Sequence, residues 1–115
     1  MRKIKFRAKT KDSKNSKFEY SEEIGGLVQF FLKFNGDWYE TDTLGQYIGR
    51  KDCNGKEIYE EDIVKYNNRL WIVKWDGEQA RFTYDSIHSN VFGTMEDAKE
   101  LEVIGNIYEN PELWR

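Results

Sequence analysis

The dipeptide Asn54-Gly55 constrains the fold of this 115-residue chain more than any other feature of the sequence. It lies between two runs that contain apolar and aromatic residues, Tyr47-Ile48 and Ile58-Tyr59. An Asn-Gly pair in this setting is typical of a two-residue β-hairpin turn, because both residues tolerate a positive φ angle. The stretch 45–64 is therefore predicted to form a strand, a tight turn and a second strand, with Asn54 and Gly55 as structural turn residues.

A polar corner follows this hairpin. Glu60, Glu61 and Asp62 precede the apolar pair Ile63-Val64, so the chain is predicted to turn there into the next strand. The carboxylate of Asp62 is expected to accept hydrogen bonds from nearby backbone N–H groups. Asp62 is therefore predicted to be a structural turn residue as well.

The region 47–64 also carries a recurring pattern, which runs roughly Tyr-x-Gly-x-x-Asp-x-Asn-Gly-x-Glu-Ile-Tyr-Glu-Gly-Asp-Ile-Val. The chain matches this pattern at Tyr47, Gly49, Asp52, Asn54, Gly55, Glu57, Ile58, Tyr59, Glu60, Asp62, Ile63 and Val64. With this pattern the chain resembles the YopX family of phage and prophage proteins, and residues 4–8 and 103–113 resemble the opening and closing segments of that family. The chain departs from the pattern at Glu61, where the family usually has glycine.

The resemblance implies a small, mostly β protein of phage or prophage origin. It implies no biochemical activity that could be assigned to named residues. Residues 11–44 match no part of the pattern.

Length and composition favour a single β-rich domain. A chain of 115 residues is long enough to bury roughly two-thirds of its unfolded surface in one core. Aromatic residues make up 16% of the chain, and these residue types favour strands. We predict a small, partly open, Src-homology-3-like β-barrel with its core at about 44–109, and N-terminal strands within 3–43 packed on that core.

The individual strands are predicted from alternation and turn residues. Residues 3–9 and 18–20 are expected to be strands, and the apolar run 27–34 is interpreted as a strand that returns in a second hairpin through Asn35-Gly36, although a helix is possible there. Residues 63–66, 70–75 and 80–84 are expected to form a meander of three strands, and 101–108 a closing strand. A loop at 86–93, a short helix from Thr94 through Lys99 and a last helical turn capped by Asn110-Pro111 complete the prediction.

The sequence offers no recognisable catalytic, cofactor or metal site. The only histidine, His88, lies in a polar loop, and a single cysteine, Cys53, completes neither a disulfide nor a thiolate metal site. The acidic cluster of Glu57, Glu60, Glu61 and Asp62 is better explained as a solvated hairpin corner than as acid-base or magnesium chemistry. We therefore expect a non-enzymatic protein without cofactors.

Charge is unevenly distributed along the chain. The net charge is −3, but residues 1–17 carry eight basic residues and one acidic residue, which leaves −10 for the remainder. A strand over residues 3–9 would place four cations on one face, either as a basic stripe for phosphates or as protection of an edge strand. The possible binding surface comprises this stripe and an aromatic and arginine surface on the meander: Lys3, Lys5, Arg7, Lys9, Tyr66, Arg69, Trp71, Trp75 and Arg81.

Two functions follow from these observations. The first is a protein-binding or self-associating module in phage–host interaction. The alternative is a nucleic-acid-binding small β-barrel that uses the basic first strand and stacks bases on its aromatic side chains. The single cysteine favours a reducing compartment, and we expect this to be the cytoplasm of the bacterial host. No apolar run has the length that a membrane span requires, so a membrane partner is not expected.

Overall fold

The computed structural model describes residues 4–11, 16–35, 37–87, 92–94 and 99–114. Within these residues the chain is mainly β, as predicted, and it divides into two compact units, 1–47 and 48–115. In chain order the strands are β1 (Phe6–Lys9), β2 (Phe18–Tyr20), β3 (Gly45–Lys51), β4 (Glu57–Tyr59), β5 (Asp62–Tyr66), β6 (Arg69–Asp76), β7 (Arg81–Ser86), β8 (Phe92–Thr94) and β9 (Glu102–Asn106). Helix α1 (Leu27–Asn35) lies between β2 and β3, and the Src-homology-3-like architecture stays a prediction.

In the first unit, β1 is the middle strand of three. It pairs antiparallel with β2, where Arg7 lies opposite Tyr20, and with the start of β3, where Phe6 lies opposite Gln46. Strand β1 begins at Phe6 and is shorter than the strand predicted over 3–9. The interpretation of this strand as a lysine-protected edge strand is wrong, because both of its edges are paired.

Helix α1 corrects the predicted second hairpin. Residues 27–34 form an α-helix and not a strand, and Tyr39 makes only an isolated bridge with Thr10. Leu27, Phe30, Phe31 and Phe34 follow the i, i+3, i+4, i+7 spacing of an amphipathic helix, which allows one side to pack. The core of this unit consists of Ala8, Phe30 and Tyr39, with Phe6, Ile24, Phe34 and Leu44 packed against it.

The hairpin predicted within 45–64, which we call the organising hairpin, joins β3 to β4 as predicted, but its turn is longer than two residues. The Asp52 N–H donates to the Lys56 carbonyl at 2.8 Å, and the Gly55 N–H donates to the Asp52 carbonyl at 3.0 Å. Gly55 has a φ of 81°, whereas Asn54 has no positive φ. This is a three-residue loop in which a turn is followed by a left-handed glycine, and it replaces the expected two-residue Asn-Gly turn.

The second unit contains a five-stranded antiparallel sheet in the order β8-β7-β6-β5-β9. The predicted meander is confirmed as β5, β6 and β7, and the predicted closing strand is confirmed as β9. Strands β5 and β6 are joined by a two-residue turn, since Tyr66 pairs with Arg69 and both intervening asparagines have positive φ angles of 52° and 60°. The core residues of this unit are Ile48, Ile58, Val64, Trp71, Val73, Phe82, Tyr84 and Leu101.

The C-terminal region differs from the prediction in two ways. The predicted loop at 86–93 contains the start of β8, and Thr94 ends this strand instead of beginning the predicted helix. Residues 95–98 of that predicted helix lie outside the described residues. Pro111–Leu113 form one turn of 3₁₀ helix, and Asn110 does not cap it through its side chain. Its Oδ1 instead accepts a bond from the Asn106 N–H at 3.2 Å, because Asn110 closes the turn that follows β9.

Candidate binding surface on helix α1

Helix α1 has one packed side and one apolar side that faces solvent. Phe30 is fully buried, with its ring centroid 5.0 Å from that of Tyr39, and the Phe6 ring lies 5.3 Å from that of Phe31. On the opposite side, Val28 is 74% exposed and Leu32, one turn later, is 61% exposed. We call Val28, Phe31 and Leu32 the α1 surface; Phe31 is 36% exposed and links the packed side to the open one.

The ends of α1 are fixed by backbone geometry. Gly25 and Gly26 have φ angles of 103° and 97°, which glycine adopts without steric cost, and the Gly26 N–H donates to the Ser21 carbonyl at 2.7 Å. At the other end the Trp38 N–H donates to the Lys33 carbonyl, and Asp37 has a left-handed φ of 66°. The bond to Lys33 satisfies one of the last carbonyls of the helix.

A polar cluster holds α1 on the sheet. Glu19 of β2 accepts a hydrogen bond from the Tyr39 hydroxyl at 2.7 Å and pairs with Lys33 Nζ at 2.9 Å. Burial raises the pKa of Glu19, but the bonds from Lys33 and Tyr39 outweigh it, so this pKa lies below its usual value. Burial and the bond to Glu19 raise the pKa of Tyr39 well above its usual range. At neutral pH the Glu19 carboxylate is therefore ionised, and Tyr39 keeps the proton that it donates to Glu19.

Trp38 presents a further exposed aromatic side chain just after the C-terminal end of α1. Its side chain is 52% exposed, and Lys33 Nζ lies 5.2 Å from the centre of its ring. An exposed tryptophan beside a cation is a frequent element of protein interfaces. None of these residues was predicted from the sequence to lie in a binding surface, although the helical spacing of the apolar residues was the signal that could have identified them.

The basic residues of the first strand are placed differently from the predicted stripe. Lys5 and Arg7 are buried, with 6% and 4% exposure. Lys5 pairs with Glu22 at 3.1 Å, and the Arg7 guanidinium lies 4.3 Å from the centre of the Phe18 ring. Lys9 is half-buried, and Lys3 lies outside the described residues. Among the three described cations, Lys5, Arg7 and Lys9, the structure therefore shows no common open face.

The predicted surface on the meander is also divided. Trp71 is 6% exposed and packs edge-on against Tyr84 at 5.2 Å, so this side chain belongs to the core. Trp75 is 50% exposed and contacts Phe82, whereas Tyr66 is half-buried. Arg69 and Arg81 are exposed, and Arg81 Nε lies 3.8 Å from Asp76 Oδ2. Exposed and buried residues thus alternate where the sequence suggested one surface.

The acidic residues near the organising hairpin bind backbone groups. Asp62 is buried, and its Oδ2 accepts a hydrogen bond from the Tyr59 N–H at 2.8 Å, the turn role expected of it. Asp52 is buried as well and accepts bonds from the N–H groups of Asn54, Lys56 and Val103. Cys53 is exposed, and His88 lies outside the described residues. Across the part of the chain that the structure describes, no three histidine, cysteine or acidic side chains are grouped as metal ligands.

No helix among the described residues has the length and apolarity needed to cross a membrane.

These observations define a small, mainly β protein whose single described α-helix presents an apolar side to solvent. The chain matches the family of the YopX protein over residues 2–115, and it belongs to the YopX family. The resemblance recognised around the organising hairpin is therefore confirmed, and it extends through the region 11–44, which matched no part of the pattern. No curated protein matches the chain significantly.

Proposed function

We propose that this chain is a non-enzymatic, protein-binding module of a phage or prophage, acting in the bacterial cytoplasm, and that the α1 surface is its docking site. One observation carries the proposal: Val28 and Leu32 lie one helical turn apart and are 74% and 61% exposed, while the other side of the same helix is packed. Membership of the YopX family supports a phage-type origin.

The arrangement of the exposed residues supports binding over chance exposure. Single exposed apolar residues are common on soluble proteins and require no explanation. Here Val28, Phe31 and Leu32 follow the i, i+3, i+4 spacing, so their side chains are neighbours on one face of α1. A contiguous apolar patch of this kind marks an interaction site more often than isolated exposure does.

The burial of the predicted basic stripe favours a protein partner over a nucleic acid. Nucleic-acid affinity depends on cations that reach phosphates from solvent. Lys5 and Arg7 are buried, and Trp71, which was the candidate for base stacking, belongs to the core. Of the residues predicted to bind nucleic acid, Arg69, Trp75 and Arg81 are exposed, and Lys9 and Tyr66 are half-buried. Arg81 already interacts with Asp76.

The experiment is a comparative capture from bacterial lysate, performed with and without nuclease treatment and analysed by quantitative mass spectrometry. Three immobilised proteins are compared: the wild type, the double variant Val28→Ser/Leu32→Ser, and the control Ile104→Ser, which removes a 36% exposed apolar residue from β9. We expect a defined protein to be retained by the wild type and the control and to be lost from the double variant. Melting curves of all three establish that the variants are folded.

Two results would reject the proposal. The first is equal retention by the wild type and the Val28→Ser/Leu32→Ser variant, which would show that the α1 surface is not the docking site. The second is the disappearance of all retained material on nuclease treatment, which would favour the nucleic-acid alternative.

A further inference from the structure

The loop of the organising hairpin presents an Asn-Gly pair to solvent. Asn54 and Gly55 are both exposed, and a Cβ added to Gly55 would meet no heavy atom within 4 Å beyond its chain neighbours. In such a pair the backbone nitrogen of glycine attacks the side-chain carbonyl carbon of asparagine, because glycine has no side chain that hinders the approach. The sequence and the exposure of this loop therefore favour loss of the Asn54 amide group.

The closed loop opposes this reaction by holding the attacking nitrogen. The Gly55 N–H donates to the Asp52 carbonyl at 3.0 Å. The nitrogen attacks in its deprotonated form, and a hydrogen bond that the N–H donates favours the protonated form. The Asn54 N–H is bound as well, to Asp52 Oδ1 at 2.9 Å, so the backbone is held on both sides of the Asn54 side chain. Asn54 is therefore protected for as long as the loop stays closed.

The Asp52 carboxylate keeps the loop closed. Its Oδ1 also accepts a bond from the Lys56 N–H at 2.8 Å, and its Oδ2 accepts one from the Val103 N–H of β9 at 2.9 Å. Asp52 is only 6% exposed, so water competes little for these bonds. Folded proteins open locally at a lower free energy than they unfold globally, and here a local opening must break these bonds. Protection of Asn54 thus depends on a contact with a distant strand.

We propose that Asn54 is a site of spontaneous deamidation and that the Asp52 carboxylate controls its rate. In the open loop the deprotonated Gly55 nitrogen forms a bond to Asn54 Cγ, and the Cγ–Nδ2 bond breaks. Nδ2 takes up, through solvent, the proton that Gly55 lost and leaves as ammonia, so that a succinimide ring remains. Water then adds to one of the two ring carbonyls and breaks its bond to the Gly55 nitrogen. The product is aspartate or, when the backbone carbonyl is attacked, isoaspartate.

The product changes the contact between the loop and β9. Asn54 Nδ2 donates to Glu102 Oε2 at 3.4 Å, and both residues are exposed. Deamidation puts a carboxylate in place of this donor, so two like charges replace a hydrogen bond. Isoaspartate also adds a methylene group to the main chain, which displaces the groups that bind Asp52. Since ammonia is lost, the modified loop closes less well and does not revert.

Peptide mapping by mass spectrometry measures the reaction during incubation at mildly alkaline pH. Trypsin cleaves after Lys51 and Lys56 and so isolates the pair, whereas the other Asn-Gly pair, Asn35-Gly36, falls in a separate reference peptide. We expect Asn54 of the folded wild type to react at least tenfold more slowly than Asn54 of the protein unfolded in urea. Methylation by an isoaspartyl methyltransferase gives a second readout, and Asn54→Gln should remove both signals from the loop peptide.

Two variants separate local opening from global unfolding. Asp52→Ala is expected to raise the rate at Asn54 severalfold and to leave the rate at Asn35 unchanged. Val73→Ala is the matched control, because it removes fully buried methyl groups from the core of the same unit and none of the hydrogen bonds of the loop. It should lower stability in urea unfolding without a comparable change at Asn54. Equal acceleration by the two variants would overturn control by Asp52.

The wild type alone also tests the proposal, whether or not Asp52→Ala folds. At urea concentrations that leave the protein folded, the rate at Asn54 should stay nearly constant, because local opening exposes little surface. A rate that rises in proportion to global unfolding would contradict local control. Equal rates in the folded and unfolded protein would show that the loop gives no protection. Reaction in the unfolded protein alone would mean that Asn54 is not a modification site of the fold.

Discussion

At the scale of single residues, Glu61 occupies a backbone conformation that favours glycine. Its φ is 69°, its N–H donates to the Val73 carbonyl at 2.8 Å, and its carbonyl accepts a bond from the Ile107 N–H at 3.1 Å. The backbone is therefore held there from both sides, and a residue with a Cβ is strained in it. This explains why the family pattern has glycine at this position.

We predict that Glu61→Gly stabilises the protein by about 1 kcal/mol, because relief of the left-handed strain exceeds the entropy that glycine loses on folding. Urea unfolding of the variant and the wild type measures the difference. The control is Glu60→Gly, since Glu60 has no positive φ and should lose stability or stay unchanged. A loss of stability in Glu61→Gly would show that the glutamate side chain contributes more than the backbone strain costs.

Asp52 joins two parts of the second unit through its carboxylate. Oδ1 accepts bonds from the Asn54 and Lys56 N–H groups at 2.9 and 2.8 Å, and Oδ2 accepts one from Val103 of β9 at 2.9 Å. Burial raises the pKa of Asp52, but these three N–H donors and the charge of Lys56 outweigh it. The pKa therefore lies below its usual value, and the folded protein stabilises the ionised form.

We predict that Asp52→Asn loses about 2 kcal/mol of stability at pH 7, because one N–H then faces an amide NH₂ group. The pKa is lower in the folded state than in the unfolded state, so the contribution is complete above about pH 3.9 and is lost as pH falls through the folded pKa. Urea unfolding at pH 7 and at progressively lower pH should show the difference between variant and wild type shrinking. The exposed Glu78→Gln is the control and should leave stability unchanged at pH 7; equal stability of Asp52→Asn and the wild type at pH 7 would contradict this role.

At the scale of elements, the two sides of α1 should respond differently to truncation. Phe30 is fully buried between rings, so Phe30→Ala is expected to cost about 3–5 kcal/mol. Val28 contributes little to packing, so Val28→Ala should change stability by less than about 0.5 kcal/mol. Thermal unfolding followed by circular dichroism measures both. A large loss in Val28→Ala would mean that this residue is covered within the protein, and the docking proposal would fail with it.

Helix α1 also shows where interpretation of the sequence was insufficient. The run 27–34 is apolar at nearly every position, so its pattern fits both the alternation of a strand and the i, i+3, i+4 spacing of a helix. The neighbouring strands and the Asn35-Gly36 pair favoured the prediction of a hairpin. In the structure, Gly25 and Gly26 instead adopt positive φ angles immediately before the helix begins at Leu27. The outcome depended on Phe30 and Phe34 reaching Tyr39, a contact that no local pattern contains.

The strands of the second unit could be predicted because their signals are local. Turn residues such as Asn67 and Asn68 separate short apolar runs, and β5, β6 and β9 were found close to their observed bounds. The predicted length of the turn at Asn54-Gly55 was wrong. The Asp52 carboxylate accepts a hydrogen bond from Val103 of the distant strand β9, and in this position it favours the longer loop. Local patterns thus identified the elements, and long-range bonds decided their details.

At the scale of the whole molecule, charge along the sequence did not predict charge on the surface. The first 17 residues carry a net charge of +7, which suggested a basic stripe. Two of the four cations in that stripe, Lys5 and Arg7, are buried beside Tyr47 and Phe18, where long side chains cover aromatic rings. A sequence shows which residues are charged, whereas side chains that pack over the faces of β1, such as Tyr47 and Phe18, determine which of these residues reach solvent.

The size of the α1 surface leads to a prediction about the oligomeric state. We expect the wild type to sediment as a 13.8 kDa monomer at pH 7.5 in 0.1 M NaCl, because three exposed apolar side chains are far fewer than the roughly 20 residues per partner that a stable interface contains. In about 1 M ammonium sulfate, a salt that strengthens the burial of apolar surface, weak association should appear. It should be absent from Val28→Ser/Leu32→Ser and retained by Ile104→Ser. A stable dimer at 0.1 M salt that the double substitution dissociates would instead make a second copy of the chain the occupant of the α1 surface.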